Sequence, residues 1–318
     1  MSVKTGAGEV GDDRIVVAGV EGHLGLPPAG GERTDNVQCA VAVERSHLDA
    51  QDLGDLEELP PERLVERPSA HRRLEVEAKE RNDGGDVAAV GVDKHDNVYA
   101  FNRGPHPMVV FDREGNFLRS WGEGIFKNPH GVYMGADDTI YLNDDGDHTM
   151  RRCTLDGKVL LTIGIPGKAS AYMSGEPFNR CTHTAMSPQG DLYISDGYGN
   201  SVVHKYSPDG KHLMCWGTTG TDPGQFNIAH NIATDDDGYV YVADRENHRV
   251  QVFNGKGKYE AQWNNMHRPC ALYCCGGRNP RFIIGELGPG MPVNSKHTNL
   301  GPRLAIVDKK GKTIARLG

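Results

Sequence analysis

The chain has 318 residues and a formal net charge of −8, and all 22 of its aromatic residues lie at or after Tyr99. Residues 1–85 hold 10 Lys/Arg against 18 Asp/Glu, so they account for the whole net charge, and the remaining residues hold 25 of each. A formally neutral remainder lacks the basic stripe that phosphate binding needs, and no run of about 18 apolar residues exists, so we expect neither a nucleic-acid partner nor a membrane span.

The front of the chain differs from the rest. Residues 1–85 are acidic and free of aromatic side chains, so they bury too little apolar area to offset the entropy of ordering. We predict a mostly poorly ordered extension, with a small α/β cap as the alternative. The only β-pattern lies in DRIVVAGVEG (13–22) and NVQCAVAVER (36–45), which would form one hairpin.

The lack of an apolar signal core and the pattern of the cysteines predict a cytoplasmic location. The amino-terminal run MSVKTGAGEVGDDR has no apolar signal core. The seven cysteines show no paired framework, and we interpret them as free thiols in a reducing compartment.

A strand-and-turn pattern recurs from residue 86 onward. A polar turn precedes alternating apolar residues that end in Asn or Asp, in 92–102, 135–144, 187–196 and 234–244. Its marker tyrosines are 42, 52 and 48 residues apart: Tyr99, Tyr141, Tyr193 and Tyr241. Further apolar runs and Gly turns follow, and an irregular fifth unit covers FIIGE (282–286) and LAIVDKKGK (304–312). Short strands at this period predict an all-β propeller over residues 86–318, with one unit per blade.

Two histidines occupy one equivalent position of the repeat. His130 lies 14 residues before Asp144, and His230 lies 14 residues before Asp244. Innermost strands of a propeller line its channel, so both imidazoles should face one axis, where they would suit Zn²⁺. Chance coincidence within a polar repeat position is the alternative. The equivalent residue in the third unit is Thr182, so His183 lies one position beyond it. We therefore expect the His183 side chain to point away from the axis.

Arginine and tyrosine follow the marker residues. Arg103 follows Asn102, Arg245 follows Asp244, and Tyr198 lies two residues after Asp196. An arginine beside a metal would hold a carboxylate through two hydrogen bonds, and a tyrosine near a dication would have a lowered pKa and act as a base. A simple surface pair of Arg245 with Glu246 is the alternative.

Several motifs carry a resemblance to a known family. The run ADRENHRVQVF (243–253) resembles an NHL repeat. Residues from about Val87 onward resemble the peptidyl-α-hydroxyglycine α-amidating lyases, or peptidylamidoglycolate lyases, which are six-bladed propellers. The matching motifs are AFNRGPHPMVVFD (100–112), NPHGVYMG (128–135), SDGYGNS (195–201) and DPGQFNIAHNI (222–232).

The resemblance implies an enzyme, a carbon–nitrogen lyase that splits a peptidyl-α-hydroxyglycine, or a similar α-hydroxy amide, into an amide and glyoxylate. It implies a small-molecule or peptide substrate and a zinc cofactor held by His130 and His230. Tyr198, Arg103 and Arg245 would be the catalytic residues. A structural calcium would lie near Val90 and Val132.

The chain departs from the family pattern in its last unit. The family's third zinc histidine has no counterpart after His230, where the nearest candidates are Cys270 and His267. Only five units are recognisable and the last blade is not seen. Three arrangements follow: a closed ring of five blades, a gap filled by amino-terminal strands, or an open edge that invites aggregation.

Two functions therefore compete. One is a zinc-dependent lyase. The other is a catalytically silent propeller that binds a protein partner, and bound zinc would distinguish them.

Overall fold

The fold was analysed in a computed structural model. It describes residues 86–297 and 299–317, together with the backbone of three amino-terminal strands: β1 (Ser2–Val10), β2 (Asp13–Glu21) and β3 (Cys39–Val43). The predicted poor order of the rest of residues 1–85 lies outside the described residues.

Five four-stranded antiparallel sheets form a ring, which confirms the all-β propeller. Blade 1 contains β4 (Val87–Val92), β5 (Val98–Asn102), β6 (Met108–Phe111) and β7 (Phe117–Trp121). Blade 2 contains β8 (Pro129–Met134), β9 (Thr139–Asp144), β10 (Thr149–Thr154) and β11 (Val159–Ile163). Blade 3 contains β12 (His183–Met186), β13 (Leu192–Asp196), β14 (Val202–Tyr206) and β15 (His212–Trp216). Blade 4 contains β16 (Ala229–Thr234), β17 (Val240–Asp244), β18 (Arg249–Phe253) and β19 (Tyr259–Trp263). Blade 5 contains β20 (Pro269–Cys274), β21 (Arg281–Glu286), β22 (Arg303–Asp308) and β23 (Thr313–Leu317).

Helical structure in the described part of the chain is limited to two 3₁₀ turns, Arg245–Asn247 and Pro292–Asn294. Within those same residues, no helix has the length and apolar character needed to cross a membrane.

Apolar side chains from neighbouring blades form four cores. They lie between blades 1 and 2, 2 and 3, 3 and 4, and 4 and 5. The four marker tyrosines are all buried, and Tyr99 and Tyr241 donate their phenol hydrogen bonds to Asp93 and Asp235 in the preceding turn. Such a bond lets a large ring be buried without an unpaired hydroxyl group.

Blades 5 and 1 share no such core among the residues whose side chains are described. Small apolar clusters on the two blades remain separate, one around Val90 and one around Ala271 and Leu287. Strand β3 lies beside both β4 and β20, and it pairs with β2, which pairs with β1. Amino-terminal strands therefore lie between the fifth and first blades, which is the second of the three arrangements left open by the sequence.

In blades 2 to 5, an acidic residue at the end of the second strand fixes the approach of the chain to the channel strand. Asp144, Asp196, Asp244 and Glu286 accept a backbone N–H bond from Lys127, Asn179, Asn227 and His267, respectively, at 2.6–3.0 Å. Each donor lies three residues before the channel-lining position of its blade. The marker acid thus joins the incoming loop to the sheet, and it sets where the next side chain enters the channel.

We predict that Asp244→Asn destabilises the propeller. The Asp244 carboxylate also accepts bonds from Arg249, Asn247 and Gln251, and the side chains of Asp244 and Arg249 are 0% and 7% exposed. Leaving the buried guanidinium unpaired should cost about 3 kcal/mol. Urea unfolding should show the loss as a lower midpoint. Asp209→Asn, in the exposed turn between β14 and β15, is the control, and an equal midpoint for both variants would contradict the prediction.

Candidate functional site

The two predicted metal histidines meet in the centre of the ring. His130 is the second residue of β8, and His230 is the second residue of β16. Both are buried, and their ring centroids are 4.9 Å apart. They come from blades 2 and 4, so the channel, and not a shared strand, brings them together.

Backbone carbonyl groups fix the orientation of both rings. His130 Nδ1 lies 2.7 Å from the Thr182 carbonyl oxygen, and His230 Nδ1 lies 2.8 Å from the Cys270 carbonyl oxygen. A carbonyl oxygen only accepts, so each Nδ1 carries the hydrogen and each neutral ring has its lone pair on Nε2. This outer-shell arrangement is the one that metal-binding histidines generally show.

Tyr198 lies between the two Nε2 atoms. Its phenol oxygen is 3.2 Å from His130 Nε2 and 3.1 Å from His230 Nε2. One hydroxyl hydrogen can satisfy only one of two acceptor nitrogens, so the second nitrogen faces the oxygen's lone pairs. A proton or a cation between them would relieve this repulsion.

Both imidazoles are held in the neutral form. Burial lowers the pKa of His130 to about 4; Asp145 opposes this effect, while Arg103 adds to it. Burial also brings the pKa of His230 well below its ordinary range, with Arg245 and His130 acting in the same direction. Neutral imidazole is the form that binds metal ions, so neither ring must lose a proton first at neutral pH.

The position of Tyr198 depends on a close approach of two blades. Tyr198 lies in the turn between β13 and β14, next to Gly197. A side chain at Gly197 would overlap the backbone of Ala229 in β16. Glycine therefore lets the turn reach the channel beside His230.

The sequence left two roles open for Arg245, a surface pair with Glu246 and a place in the site, and the structure shows both contacts. Its Nε donates to Glu246 Oε1 at 2.8 Å, and its Nη1 lies 3.4 Å from the Tyr198 phenol oxygen. Glu246 also pairs with Arg268 at 2.8 Å. The ion pair therefore orients Arg245 toward the site.

Arg103 lies beside the site without a described contact to Tyr198. Its Nε donates to the Pro129 carbonyl oxygen at 3.2 Å, next to His130. Its positive charge contributes to the lowered pKa of His130.

Arg180 is a site residue that the sequence reasoning missed. Its guanidinium carbon lies 4.6 Å from the centroid of the Tyr198 ring, and its Nη2 donates to Asp145 at 2.6 Å. Arg245 faces the same ring at 5.5 Å. Arg180 lies two residues before Thr182, so reading the repeat two positions ahead of each channel residue would have found it.

The other sequence candidates do not complete a metal site. His183 lies against blade 2, where a side chain at Gly131 would come within 2.8 Å of His183 Nδ1, and burial lowers the pKa of His183 to about 3. The Cys270 thiol contacts the Gly285 carbonyl oxygen at 3.3 Å, and the His267 ring lies 4.7 Å from that of His248. Among residues with described side chains, no third His, Cys, Asp or Glu joins His130 and His230 in a group whose ligand atoms all lie within 4.8 Å.

The remaining predicted positions lie on neighbouring inner strands. Val90 is in β4 and Val132 is in β8, and these two strands contact each other. None of the six cysteines with described side chains forms a disulfide.

We predict that the buried imidazoles make stability depend on pH. The unfolded chain binds a proton at His130 near pH 6.5, whereas the folded chain does so near pH 4. The stability is therefore fully present above pH 6.5 and is lost as the pH falls toward 4, with a slope of up to about 1.4 kcal/mol per pH unit for each such histidine.

Urea unfolding at pH 7, 5.5 and 4.5 measures this dependence. His130→Asn/His230→Asn should reduce it, while His95→Asn at an exposed position should leave it unchanged. Equal slopes for the wild type and the double variant would contradict the prediction.

Comparison with known proteins identifies relatives of two kinds. The NHL repeat model matches residues 226–253. Human NHL repeat-containing protein 3 is 33% identical over 57% of this chain and 56% of its own length. A probable peptidyl-alpha-hydroxyglycine alpha-amidating lyase of Caenorhabditis elegans is 26% identical over 54% of this chain and 56% of its own length. The chain thus spans about half the length of these relatives.

Solved structures agree on the fold. A Bacteroides caccae protein of unknown function has a TM-score of 0.56 at 15% identity, covering 74% of this chain and 82% of its own. A virginiamycin B lyase from Staphylococcus aureus with quinupristin has a TM-score of 0.53 at 12% identity, covering 74% and 71% of the two chains. The chain is therefore a β-propeller with an NHL repeat, and its relatives include amidating lyases and NHL repeat-containing protein 3.

Proposed function

We propose that the protein is a zinc-dependent lyase that cleaves the C–N bond of a peptidyl-α-hydroxyglycine, or a similar α-hydroxy amide, to give an amide and glyoxylate. The observation that carries this proposal is the convergence of two imidazoles on one phenol, because the Tyr198 oxygen lies within 3.2 Å of both His130 Nε2 and His230 Nε2. The amidating lyases among the relatives support the reaction class.

The donor set fits a zinc ion, although it supplies only two described protein ligands. Two neutral imidazoles have their Nε2 atoms directed at one oxygen, and their Nδ1 hydrogens are bonded to carbonyl groups. A bound zinc ion would act there as a Lewis acid and lower the pKa of the substrate hydroxyl. Catalytic zinc usually has three protein ligands, so we expect weak binding unless a further group completes the site.

The arginines suit an anionic substrate. The charges of Arg103 and Arg245 lower the pKa of His130. The guanidinium groups of Arg180 and Arg245 lie over the Tyr198 ring. The glycine-derived carboxylate would pair with a guanidinium group, and the two parallel hydrogen bonds of such a pair would orient the α-carbon. We assign this role to Arg245, with Arg103 in support.

We assign the proton transfer to Tyr198. Its oxygen would accept or relay the proton of the α-hydroxyl group. The electron pair left on that oxygen forms the C=O bond of glyoxylate, while the C–N bond breaks. The nitrogen takes up a proton as the amide leaves, so atoms and charge balance.

A silent scaffold is the competing function. The name of NHL repeat-containing protein 3, a relative at 33% identity, states no reaction, and a protein partner would then replace the substrate. The structural calcium near Val90 and Val132 and the cytoplasmic location likewise remain proposals.

We expect activity to depend on zinc and on both channel histidines. The full chain should release glyoxylate from an α-hydroxyglycine amide when zinc is supplied, and should lose this activity after chelation. His130→Ala/His230→Ala should be inactive with zinc present. Turnover by this double variant, or no turnover by the zinc-loaded wild type, would contradict the proposed function.

Tyr198→Phe should separate proton transfer from binding. Removing the phenol oxygen should lower kcat by roughly 10²–10⁴-fold, the usual contribution of a proton-transferring group, with a small change in KM. Arg245→Lys should mainly raise KM, because a lysine cannot make the two-point contact. Tyr172→Phe is the matched control, since that ring is 72% exposed. An unchanged kcat for Tyr198→Phe would remove Tyr198 from the mechanism.

A further inference from the structure

A second group of metal-ligand side chains lies on the outer part of blade 3, away from the channel. His204 is in β14, and His212 and Cys215 are in β15. Their potential ligand atoms all lie within 4.8 Å of one another. His204 is fully buried, whereas His212 and Cys215 are exposed, so an ion would reach the group from solvent.

A β-bulge places the three side chains on one face. His204 pairs with Cys215 and Tyr206 pairs with His212, with a register shift between Lys205 and Tyr206. Residues three apart on a regular strand point to opposite faces, but one inserted residue brings His212 and Cys215 to the same face. The local backbone therefore favours convergence of the three ligands.

The repeat itself does not require these residue types. All five blades have the same register shift in their third and fourth strands. The other blades hold different residue types at the positions equivalent to His204, His212 and Cys215. Blade 1 has Val109, Phe117 and Ser120, and blade 2 has Arg151, Val159 and Thr162. Blade 4 has Gln251, Tyr259 and Gln262, and blade 5 has Ala305, Thr313 and Arg316. Only blade 3 has three metal-ligand types at the three positions.

Hydrogen bonding orients His204 as a ligand. Its Nε2 lies 3.3 Å from Asp196 Oδ2, and this carboxylate also accepts bonds from the Asn179 backbone and the Asn200 side chain. An ionised carboxylate only accepts, so Nε2 carries the hydrogen and the lone pair is on Nδ1. Nδ1 faces His212 Nε2 at 3.3 Å. A carboxylate behind a histidine is a common outer-shell feature of zinc sites.

The spacing of the two nitrogens suits tetrahedral zinc. With Zn–N bonds of about 2.0–2.1 Å, two ligands of a tetrahedral ion lie about 3.3–3.4 Å apart. The alternative is a hydrogen bond between the two rings. The Glu176 side chain adds negative charge beside His212 and Cys215.

We propose that His204 Nδ1, His212 Nε2 and Cys215 Sγ form a zinc site on blade 3, with water as the fourth ligand. Two imidazoles and a thiolate are ligand types that zinc favours. Binding releases the thiol proton to solvent. The site is distinct from the channel pair, and it does not depend on the proposed lyase reaction.

Cobalt titration of the full chain tests the proposal, because a cobalt–thiolate bond gives a charge-transfer absorption that histidine ligands do not give. We expect this band in the wild type and its loss in Cys215→Ser. His212→Gln should weaken cobalt binding by more than about tenfold, since loss of even an outer-shell partner costs 10–100-fold. Both substituted positions are exposed, so the fold should be retained, which circular dichroism checks.

Two controls separate this site from others. Cys275→Ser, at an exposed cysteine of blade 5, should keep the band. His130→Ala/His230→Ala should also keep it. Absence of the band in the wild type, or a band that survives Cys215→Ser, would overturn the proposal.

Thiol labelling gives a second readout with zinc itself. Zinc should slow alkylation of Cys215 by at least tenfold and leave the rate at Cys275 unchanged. Equal rates at Cys215 with and without zinc would also overturn the proposal.

Discussion

The channel site depends on a hydrogen bond between a marker acid and the loop that enters the blade. In blades 2 to 5, the acid at the end of the second strand accepts the backbone N–H three residues before the channel position. A buried carboxylate bonded to backbone donors is costly to move, so the loop and the strand behave as one unit. His130, Thr182, His230 and Cys270 therefore occupy equivalent positions in blades 2 to 5.

Buried histidines give the site its chemical character. Burial keeps the imidazoles of His130 and His230 neutral, and nearby arginines strengthen the effect. The guanidinium groups of Arg180 and Arg245 lie over the Tyr198 ring. A site that combines neutral nitrogen ligands with guanidinium groups suits a metal ion together with a carboxylate substrate.

Much of the fold could be predicted because the repeat is strongly periodic. The tyrosines at 99, 141, 193 and 241 are buried as the alternation predicts, and equal offsets from Asp144 and Asp244 placed His130 and His230 in one channel. Arg180 was missed, although it lies two residues before Thr182, because its role comes from contacts between segments distant in sequence, with the Tyr198 ring in blade 3 and with Asp145 in blade 2. The group of His204, His212 and Cys215 was also missed, because a β-bulge changes which residues share a face and the sequence alone does not show the bulge.

Anomalous X-ray scattering at the zinc edge, from crystals of the full chain grown with zinc, tests the central claim most directly. We predict a peak in the channel, within bonding distance of both His130 Nε2 and His230 Nε2 and next to the Tyr198 phenol oxygen. Absence of density between these two rings at full zinc exposure, or rings turned so that their Nε2 atoms face away from each other, would contradict the account.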